Sequence, residues 1–208
     1  MSQQPKIAWL QGWSFTPDVW GDIAAQLPGY KHIFIEDPAS YIPVEQQILV
    51  GWSLGAMHAI ALAAKYPKRI THLVVIAGTL QFCPEDRTLG WPRRIVQRMI
   101  DVLQHAPDQV VQQFRSQLNN DEHLLALPSP SLAQLTEGLT YLRDSNLQND
   151  WNQLTLPRLW IHGDADTICP IAAAPTNINL VRLPGVGHIP FEHESCWHEI
   201  RRWLDENS

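Results

Sequence analysis

The amino-acid sequence predicts an α/β fold: a mostly parallel sheet of about six strands, with helices on both faces. Three observations support this fold class. Short apolar runs rich in β-branched residues alternate along the chain with helical patterns. The composition, 45% hydrophobic and 17% charged residues, is that of a globular protein. A chain of 208 residues can bury a core without a disulfide or metal, so we expect one domain with an insertion.

Six segments are predicted to be buried strands because each is short and apolar and lies between turn signals. They are Lys6–Leu10 and residues 31–35, 46–50, 70–77, 158–161 and 178–183. A first helix is predicted over residues 16–26, where Thr-Pro-Asp is a typical helix start. A second, alanine-rich helix is predicted over Leu54–Lys65, ending before Tyr66-Pro67.

The alternation stops between residues 80 and 154, where helical patterns occur without a strand. A helix is predicted to start at Trp91-Pro92, since proline is favoured in the first helical turn. Its apolar face has residues spaced three and four apart, namely Val96, Met99, Ile100 and Leu103. Further helices are predicted after residue 106 and over residues 131–144. The predicted division is a core of residues 1–79 and 155–208 and a helical insertion of residues 80–154.

Residues 51–55, Gly-Trp-Ser-Leu-Gly, lie between a predicted strand and a predicted helix. This G-x-S-x-G pattern is typical of a serine nucleophile on a sharp turn, where the flanking glycines let neighbouring backbone approach closely. The turn would lift the hydroxyl of Ser53 above the sheet at the start of the helix. The alternative interpretation is that Ser53 caps the helix N-terminus in an ordinary strand-to-helix turn.

A serine nucleophile needs a base, and the base needs an acid that orients it. Two aspartates, Asp164 and Asp166, follow the predicted strand at 158–161, and both are candidates for the acid. His188 follows the last predicted strand on a glycine-flanked loop and is the candidate base. The order serine, acid, histidine is the one that this topology requires. Taken alone, His188 could also be a packing or surface histidine.

The tetrahedral intermediate of such a reaction needs hydrogen-bond donors for its oxyanion. One is expected from the backbone N–H of Leu54, which follows the nucleophile, and the other from the loop after the first strand. In that loop Gly12 permits close approach, and the N–H of Trp13 is the predicted donor. The alternative is a plain strand-to-helix turn with an exposed Trp13 indole.

Charge and residue spacing exclude several other classes. The net charge of −6 argues against a nucleic-acid-binding surface, and no apolar run reaches the roughly 18 residues of a membrane span. His193 and His198 are five positions apart, which does not fit a zinc-binding H-E-x-x-H helix, so no metal or cofactor is expected. Three cysteines, Cys83, Cys169 and Cys196, suit free thiols in the reducing cytoplasm. The oligomeric state cannot be read from the sequence.

Three motifs in chain order resemble those of the α/β-hydrolase superfamily. They are Gly-Trp-Ser-Leu-Gly-Ala at 51–56, His-Gly-Asp-x-Asp at 162–166 and Gly-His-Ile-Pro at 187–190. The insertion, with Phe-Cys-Pro at 82–84 and Leu-Pro-Ser-Pro at 127–130, further resembles the pimeloyl-[acyl-carrier protein] methyl ester esterases of biotin synthesis. The resemblance implies an α/β-hydrolase fold with a lid formed by the insertion. It also implies Asp166 as the acid, because this residue ends the G-x-x-D pattern.

For this chain the resemblance implies a serine carboxylic-ester hydrolase that cleaves the methyl ester of pimeloyl-[acyl-carrier protein] through an acyl-Ser53 intermediate. The family uses lid arginines to hold its acidic carrier protein. Residues 87–115 carry an excess of three positive charges on an otherwise acidic chain. The alternative is a solvated helix face with an Arg98–Asp101 pair. The candidate carrier-binding residues are Arg94, Arg98, Arg115 and Arg143.

Two other functions remain open from the residues alone. One is a general short-chain carboxylesterase without a carrier-protein partner. The other is a non-catalytic interaction module that keeps the fold, although such a module has no need of Ser53, Asp166 and His188 together. Lyases and haloperoxidases of the superfamily share the same three residue types, so the motifs do not choose among these chemistries.

The chain departs from the family pattern in four places. Five residues precede Lys6, where family members usually carry two more strands. Residues 38–48 leave no room for the helix usually found before the nucleophile strand. The insertion is short between Leu118 and Leu124, and Gln11 replaces a histidine that supports the oxyanion loop. A shortened core and an altered support of the oxyanion loop are therefore expected.

Overall fold

The computed structural model describes residues 4–118, 122–176 and 178–207. Its six strands form one sheet in the order β2-β1-β3-β4-β5-β6, and every neighbouring pair is parallel. The predicted fold class is confirmed. The strands are β1 (Lys6–Leu10), β2 (Lys31–Phe34), β3 (Gln47–Trp52), β4 (Ile70–Ile76), β5 (Arg158–Gly163) and β6 (Asn179–Leu183).

Eight α-helices accompany the sheet within the described ranges. They are α1 (Ile23–Gln26), α2 (Leu54–Lys65), α3 (Arg93–Leu103), α4 (Pro107–Arg115), α5 (Glu122–Ala126), α6 (Leu132–Asp144), α7 (Gln148–Gln153) and α8 (Glu194–Glu206). The single helix predicted over 16–26 is wrong: a 3₁₀ turn at Pro17–Trp20 and the short α1 occupy this segment. They are separated at Gly21, whose φ of 54° is incompatible with a continuous helix.

The hydrophobic pattern of the strands follows their place in the sheet. The central strands β1, β3 and β4 are nearly continuous apolar runs, and residues such as Leu49 and Leu73 are fully buried. Parallel strands with helices on both faces need such runs, because neither face contacts water. The edge strands β2 and β6 are partly exposed instead. Residues 35–46, between β2 and β3, form turns rather than a helix.

Residues 80–154, here called the helical insertion, connect β4 to β5. Their described part forms α3 to α7 and contains no strand. On α3, Val96 and Leu103 are buried and Met99 and Ile100 half-buried, and the helix packs against α6. The stretch between Leu118 and Leu124 lies partly outside the described residues. Across the described chain, every helix is too short or too polar to cross a bilayer.

The carboxyl ends of β1, β3 and β4 meet at one edge of the sheet, and the backbone there is strained. Among the described residues, positive φ angles outside glycine occur at Ser14 (73°), Ser53 (56°) and Ala77 (45°). Each of the three follows one of these strands. Such strain persists only where the surroundings over-determine the conformation, and it clusters at functional sites. This edge is also where open α/β sheets bind their ligands.

Candidate active site

Ser53 occupies the turn between β3 and α2, with φ 56° and ψ −118°. The turn is tight because α2 crosses directly over β1: a Cβ atom on Gly55 would lie 2.0 Å from the carbonyl oxygen of Leu10. The Ser53 side chain makes no capping hydrogen bond to α2. The hydroxyl is therefore available for other chemistry, and the alternative of a simple helix cap does not describe it.

His188 lies beside this hydroxyl and is itself buried. Its Nε2 is 2.9 Å from Ser53 Oγ, and its Nδ1 is 2.7 Å from Asp166 Oδ2. An ionised carboxylate only accepts hydrogen bonds, so Nδ1 carries the proton and Nε2 is free to accept the serine proton. The indole N–H of Trp52 donates to the His188 carbonyl at 2.7 Å and fixes the backbone of the histidine loop.

The structure distinguishes the two candidate acids. Asp166 contacts His188, whereas Asp164 accepts hydrogen bonds from the Gly185 N–H at 2.7 Å and from Arg182 Nε at 3.0 Å. Asp164 thus braces the turn after β6 and does not reach His188. The contact with His188 agrees with the family resemblance, which implies Asp166 as the acid. The residues alone leave both aspartates open.

The Asp166 carboxylate is held by several donors. Its Oδ1 accepts the backbone N–H groups of Ile168 and Cys169, at 2.8 and 2.9 Å. Burial by itself would raise the pKa of Asp166, but His188 and the hydrogen bonds from His162 and the backbone outweigh it and hold the pKa well below its usual range. The carboxylate therefore stays ionised at neutral pH and can orient the His188 ring.

His162 is a contributor that the sequence reasoning missed. It is fully buried, and its Nδ1 accepts the indole N–H of Trp160 at 3.0 Å. The proton must then reside on Nε2, which lies 2.7 Å from the Cys169 carbonyl and 3.2 Å from Asp166 Oδ2. The available signal is a histidine directly after a predicted buried strand, two residues before Asp164 and four before Asp166.

The predicted oxyanion donors flank Ser53. The backbone N–H groups of Trp13 and Leu54 have no acceptor among the described residues. Gly12 lies so close that a Cβ atom there would be 2.9 Å from the Trp52 ring and 3.3 Å from the Ser53 Cβ. The Trp13 indole is buried and donates to the Leu135 carbonyl at 2.9 Å, so the alternative of an exposed indole is wrong.

A pocket of about 230 Å³ opens beside the oxyanion loop, between the core and α6. Trp13, Leu54 and Gln11 contribute to its wall, and the side-chain oxygen of Gln11 is buried and has no partner among the described residues. His58 lies in the same wall, stacked on Tyr141 with ring centroids 4.1 Å apart. Burial lowers the pKa of His58 to about 4, so the ring is neutral at pH 7.

The four arginines predicted to bind a carrier protein have different surroundings. Arg94 and Arg98 are exposed on α3 without an ion pair to the described residues, and Asp101 accepts from Gln97 at 2.8 Å instead of from Arg98. Arg143 is paired with Asp144. Arg115 is only 2% exposed, and its guanidinium is bonded inside the protein, so its prediction as a carrier-binding residue is wrong.

The three thiols are poor candidates for the nucleophile. Cys83, Cys169 and Cys196 are unpaired, and burial raises the pKa of each, to about 11 for Cys83. Thiols with raised pKa values are poor nucleophiles at neutral pH. The described residues contain no group of three or more metal-ligating side chains. Ser53 is thus the nucleophile candidate that the geometry favours.

The fold and this serine–histidine–aspartate arrangement define a hydrolase of the α/β type. Residues 10–202 match the alpha/beta hydrolase family, and the chain belongs to that family. Among curated proteins, it is 28% identical to the pimeloyl-[acyl-carrier protein] methyl ester esterase of Aeromonas salmonicida, over 97% of this chain and 96% of that protein. The corresponding esterase of Vibrio vulnificus is 26% identical, over 95% of this chain and 93% of that protein.

Solved structures share the fold at lower sequence identity. An esterase from Exiguobacterium antarcticum superposes with a TM-score of 0.81 at 16% identity, covering 99% of this chain and 93% of that one. A bromoperoxidase from Bacillus anthracis superposes with a TM-score of 0.79 at 14% identity, covering 98% and 92%. One fold thus accommodates different chemistries, so the function must be argued from the site.

Proposed function

We propose that this carboxylic ester hydrolase works through an acyl-Ser53 intermediate and that its substrate is the methyl ester of pimeloyl-[acyl-carrier protein]. The observation that carries the mechanism is the hydrogen-bonded series Ser53–His188–Asp166, with distances of 2.9 and 2.7 Å on a strained strand-to-helix turn. Nucleophile, base and orienting acid lie within hydrogen-bond reach, which is the geometry that covalent ester hydrolysis needs.

In the acylation step, Ser53 Oγ attacks the ester carbonyl while His188 Nε2 takes the hydroxyl proton. The negative charge that develops on the carbonyl oxygen is stabilised by the N–H groups of Trp13 and Leu54, each worth roughly 3–4 kcal/mol by comparison with measured oxyanion donors. Asp166 stabilises the protonated His188 ring. Collapse of the tetrahedral intermediate breaks the ester C–O bond, and His188 returns the proton to the departing methanol.

Deacylation reverses these roles. His188 takes a proton from a water molecule, whose oxygen attacks the acyl-Ser53 carbonyl. The second tetrahedral intermediate uses the same two donors. Its collapse releases the free carboxylic acid, and the proton on His188 returns to Ser53 Oγ. Because the pKa of Asp166 is held low, the carboxylate stays ionised and keeps the proton on Nδ1 of His188 through both steps.

The choice of substrate rests on the helical insertion as a lid and on the names of the relatives. A groove of about 520 Å³ runs between α3 and α4, with Trp91 and Phe114 in its apolar wall and Arg98 at its side. Phe114 also contacts Trp13 edge-on, with ring centroids 4.9 Å apart, so aromatic side chains connect the groove to the oxyanion loop. An apolar acyl chain with an anionic carrier at its far end would match this combination.

Within the candidate carrier surface, Arg94 and Arg98 lie four residues apart on one face of α3. Both guanidinium groups are available for phosphate or carboxylate groups of a carrier, which arginine binds in a bidentate manner. Arg143 contributes less to this proposal because Asp144 already neutralises it. We place the protein in the cytoplasm, where its unpaired thiols would stay reduced.

The Ser53→Ala variant tests the mechanism. Removing the nucleophile should lower kcat on a short p-nitrophenyl ester by roughly 10⁴-fold or more. The fold should persist because the Ser53 hydroxyl makes no helix cap, and circular dichroism would check this. A fluorophosphonate probe should label the wild type and not the variant. Undiminished turnover by folded Ser53→Ala protein would contradict the mechanism and favour another nucleophile, whereas a wild type that neither turns over the ester nor takes the probe would favour a non-catalytic module.

The double reversal Arg94→Glu/Arg98→Glu tests the carrier protein separately. It should lower kcat/KM on a carrier-linked methyl ester by about tenfold or more, while a small soluble ester is turned over as before. The matched control is Lys68→Glu/Arg202→Glu, which makes the same charge change at exposed positions outside the insertion. Equal loss on both substrates, or loss with neither, would favour a general short-chain carboxylesterase.

A further inference from the structure

Arg115 is a buried cation at the end of α4, and each of its five N–H donors has an oxygen acceptor. Its Nη1 donates to the carbonyls of Leu124 (3.2 Å) and Leu127 (2.6 Å), and its Nη2 to the carbonyls of Pro128 (3.0 Å) and Ser14. Its Nε lies 3.3 Å from Ser14 Oγ. The guanidinium therefore joins three parts of the helical insertion to the loop after β1.

The charge of Arg115 is compensated without a carboxylate. Four of its five acceptors are backbone carbonyls, and the guanidinium lies over the Phe15 ring, 4.3 Å from its centroid. Burial lowers the pKa of Arg115 to about 10, so the side chain remains charged at neutral pH. A buried cation is costly unless its hydrogen bonds are satisfied, so this arrangement strongly constrains the groups that accept them.

The group constrained on the core side is Ser14, whose φ of 73° is sterically unfavourable for a residue with a Cβ atom. Ser14 directly follows Trp13, whose backbone N–H is a proposed oxyanion donor. The Trp13 side chain is held from the same side, by its bond to Leu135 of α6 and its contact with Phe114 of α4. Two consecutive residues of the oxyanion loop are thus fastened to the insertion rather than to the sheet.

We propose that Arg115 is a positioning residue: from the helical insertion it holds the strained Ser14 and thereby sets the direction of the Trp13 N–H for the oxyanion. This inference rests on the proposed function, because it assigns a role in the same ester hydrolysis. It also means that the insertion completes the active site in addition to covering it. Displacement of a donor by about 1 Å is enough to lower a rate by about 100-fold.

The test compares Arg115→Met with Arg158→Met. Arg158 is a matched control because it also donates to backbone carbonyls, of Leu154 and Trp151, and lies over an aromatic ring at 4.3 Å, but it does not touch the oxyanion loop. On a short p-nitrophenyl ester, Arg115→Met should lower kcat by roughly 10- to 100-fold with little change in KM. Arg158→Met should lose thermal stability and keep its kcat.

A trifluoromethyl ketone, which forms a tetrahedral adduct with the serine, gives a second readout. Its affinity for Arg115→Met should fall in parallel with kcat/KM, because only the tetrahedral state uses the oxyanion donors. Arg115→Lys retains the charge and the aliphatic stem with three donors in place of five, so it should fold and show an intermediate kcat. If Arg115→Met does not fold, Arg115→Lys decides the question by the same two measurements.

Wild-type kcat in folded Arg115→Met or in Arg115→Lys would overturn the positioning role, and so would equal losses of kcat in Arg115→Met and Arg158→Met. Ser53→Ala belongs in the same assay. If Ser53→Ala remains active, the proposed mechanism itself fails. If Ser53→Ala is inactive while the Arg115 variants keep wild-type kcat, only the role of Arg115 fails.

Discussion

The sheet core and the helical insertion hold their parts of the candidate site by different means. The core places Ser53, Asp166 and His188 on turns at the carboxyl ends of β3, β5 and β6, and continuous strand ladders fix where those turns lie. The insertion is joined to the oxyanion loop by individual side-chain hydrogen bonds to backbone carbonyls. Arg115 of the insertion donates to Ser14 of the loop, and Trp13 of the loop donates to Leu135 of the insertion. Backbone ladders are shared by many residues, whereas each such side-chain bond depends on one residue.

The close contacts of the two regions show the same contrast. In the core, α2 approaches β1 backbone against backbone at Gly55 and Leu10. In the insertion, α6 approaches the core backbone against side chain, since a Cβ atom on Gly138 would lie 2.8 Å from Trp13 Cδ1 and 3.0 Å from Leu54 Cδ2. Backbone cannot yield without breaking the sheet, while side chains can shift at moderate cost.

The two regions can therefore change largely independently. Substitutions in the core should affect folding first, because they disturb the ladders that every element shares. Substitutions at the contacts of the insertion should affect catalysis and substrate choice first. That separation explains how proteins with this fold support different chemistries on one scaffold.

The largest effect on stability is expected from Gly55→Ala in the core. Alanine is favoured over glycine by about 1 kcal/mol in helices, but here its Cβ would overlap the Leu10 carbonyl oxygen. We expect the free energy of unfolding to fall by about 3 kcal/mol or more, measured by urea denaturation. A variant as stable as the wild type would show that the core contact can relax, and the core would then be no more rigid at its contacts than the insertion.

Gly138→Ala in the insertion should instead change stability little and lower kcat. The helix-propensity gain and the shift of Trp13 nearly cancel, so stability should change by about 1 kcal/mol or less. Because Trp13 and Leu54 carry the proposed oxyanion donors, kcat should fall about tenfold. Thr140→Ala on the same helix controls for propensity and should keep its kcat. An unchanged kcat in Gly138→Ala would contradict the idea that the insertion positions these donors.

The smallest effect is expected on the pH dependence of stability. It involves the interface between the two regions, where His58 of α2 stacks on Tyr141 of α6. Burial lowers the pKa of His58 to about 4 from 6.5, and the nearby Asp37 opposes this only in part. Between these pH values the unfolded chain binds a proton that the native state does not. The free energy of unfolding should therefore decrease as pH falls from 6.5 towards 4, by about 1–2 kcal/mol.

His58→Gln should flatten this pH dependence, which urea unfolding at pH 7 and pH 4.5 would measure. The lowered pKa of Asp166 does not interfere, because an acid of this kind contributes a loss of stability only below about pH 4, the usual range of its unfolded state. An equally steep decrease in the variant would place the titrating group elsewhere.

The strands and the turn that carries Ser53 could be predicted closely because their signals are local. Lys6–Leu10 and Leu54–Lys65 have the predicted bounds, and the remaining strands differ from prediction by one or two residues at one or both ends. The exception is the segment 16–26, where a helical pattern is interrupted at Gly21. A single positive φ angle there overrides a propensity that favours helix only weakly.

The surroundings of Arg115 and His162 could not be predicted in this way. Charge alone groups Arg115 with Arg94 and Arg98, yet its partner Ser14 lies 101 positions away along the chain. The role of His162 depends on which of its nitrogens faces Trp160 and which faces Asp166. No sequence period or spacing indicates either contact.

By itself the sequence determined the order of strands and helices, the turn that carries Ser53 and the chain order of the proposed nucleophile, acid and base. These follow from residue size, apolar periodicity and backbone freedom, which act over a few neighbouring residues. The tertiary structure shows that Asp166, the acid that the family resemblance implies, contacts His188, and it alone decided that Arg115 faces inwards to the oxyanion loop. Such partners are distant in the chain, and close packing of the insertion on the sheet brings them together.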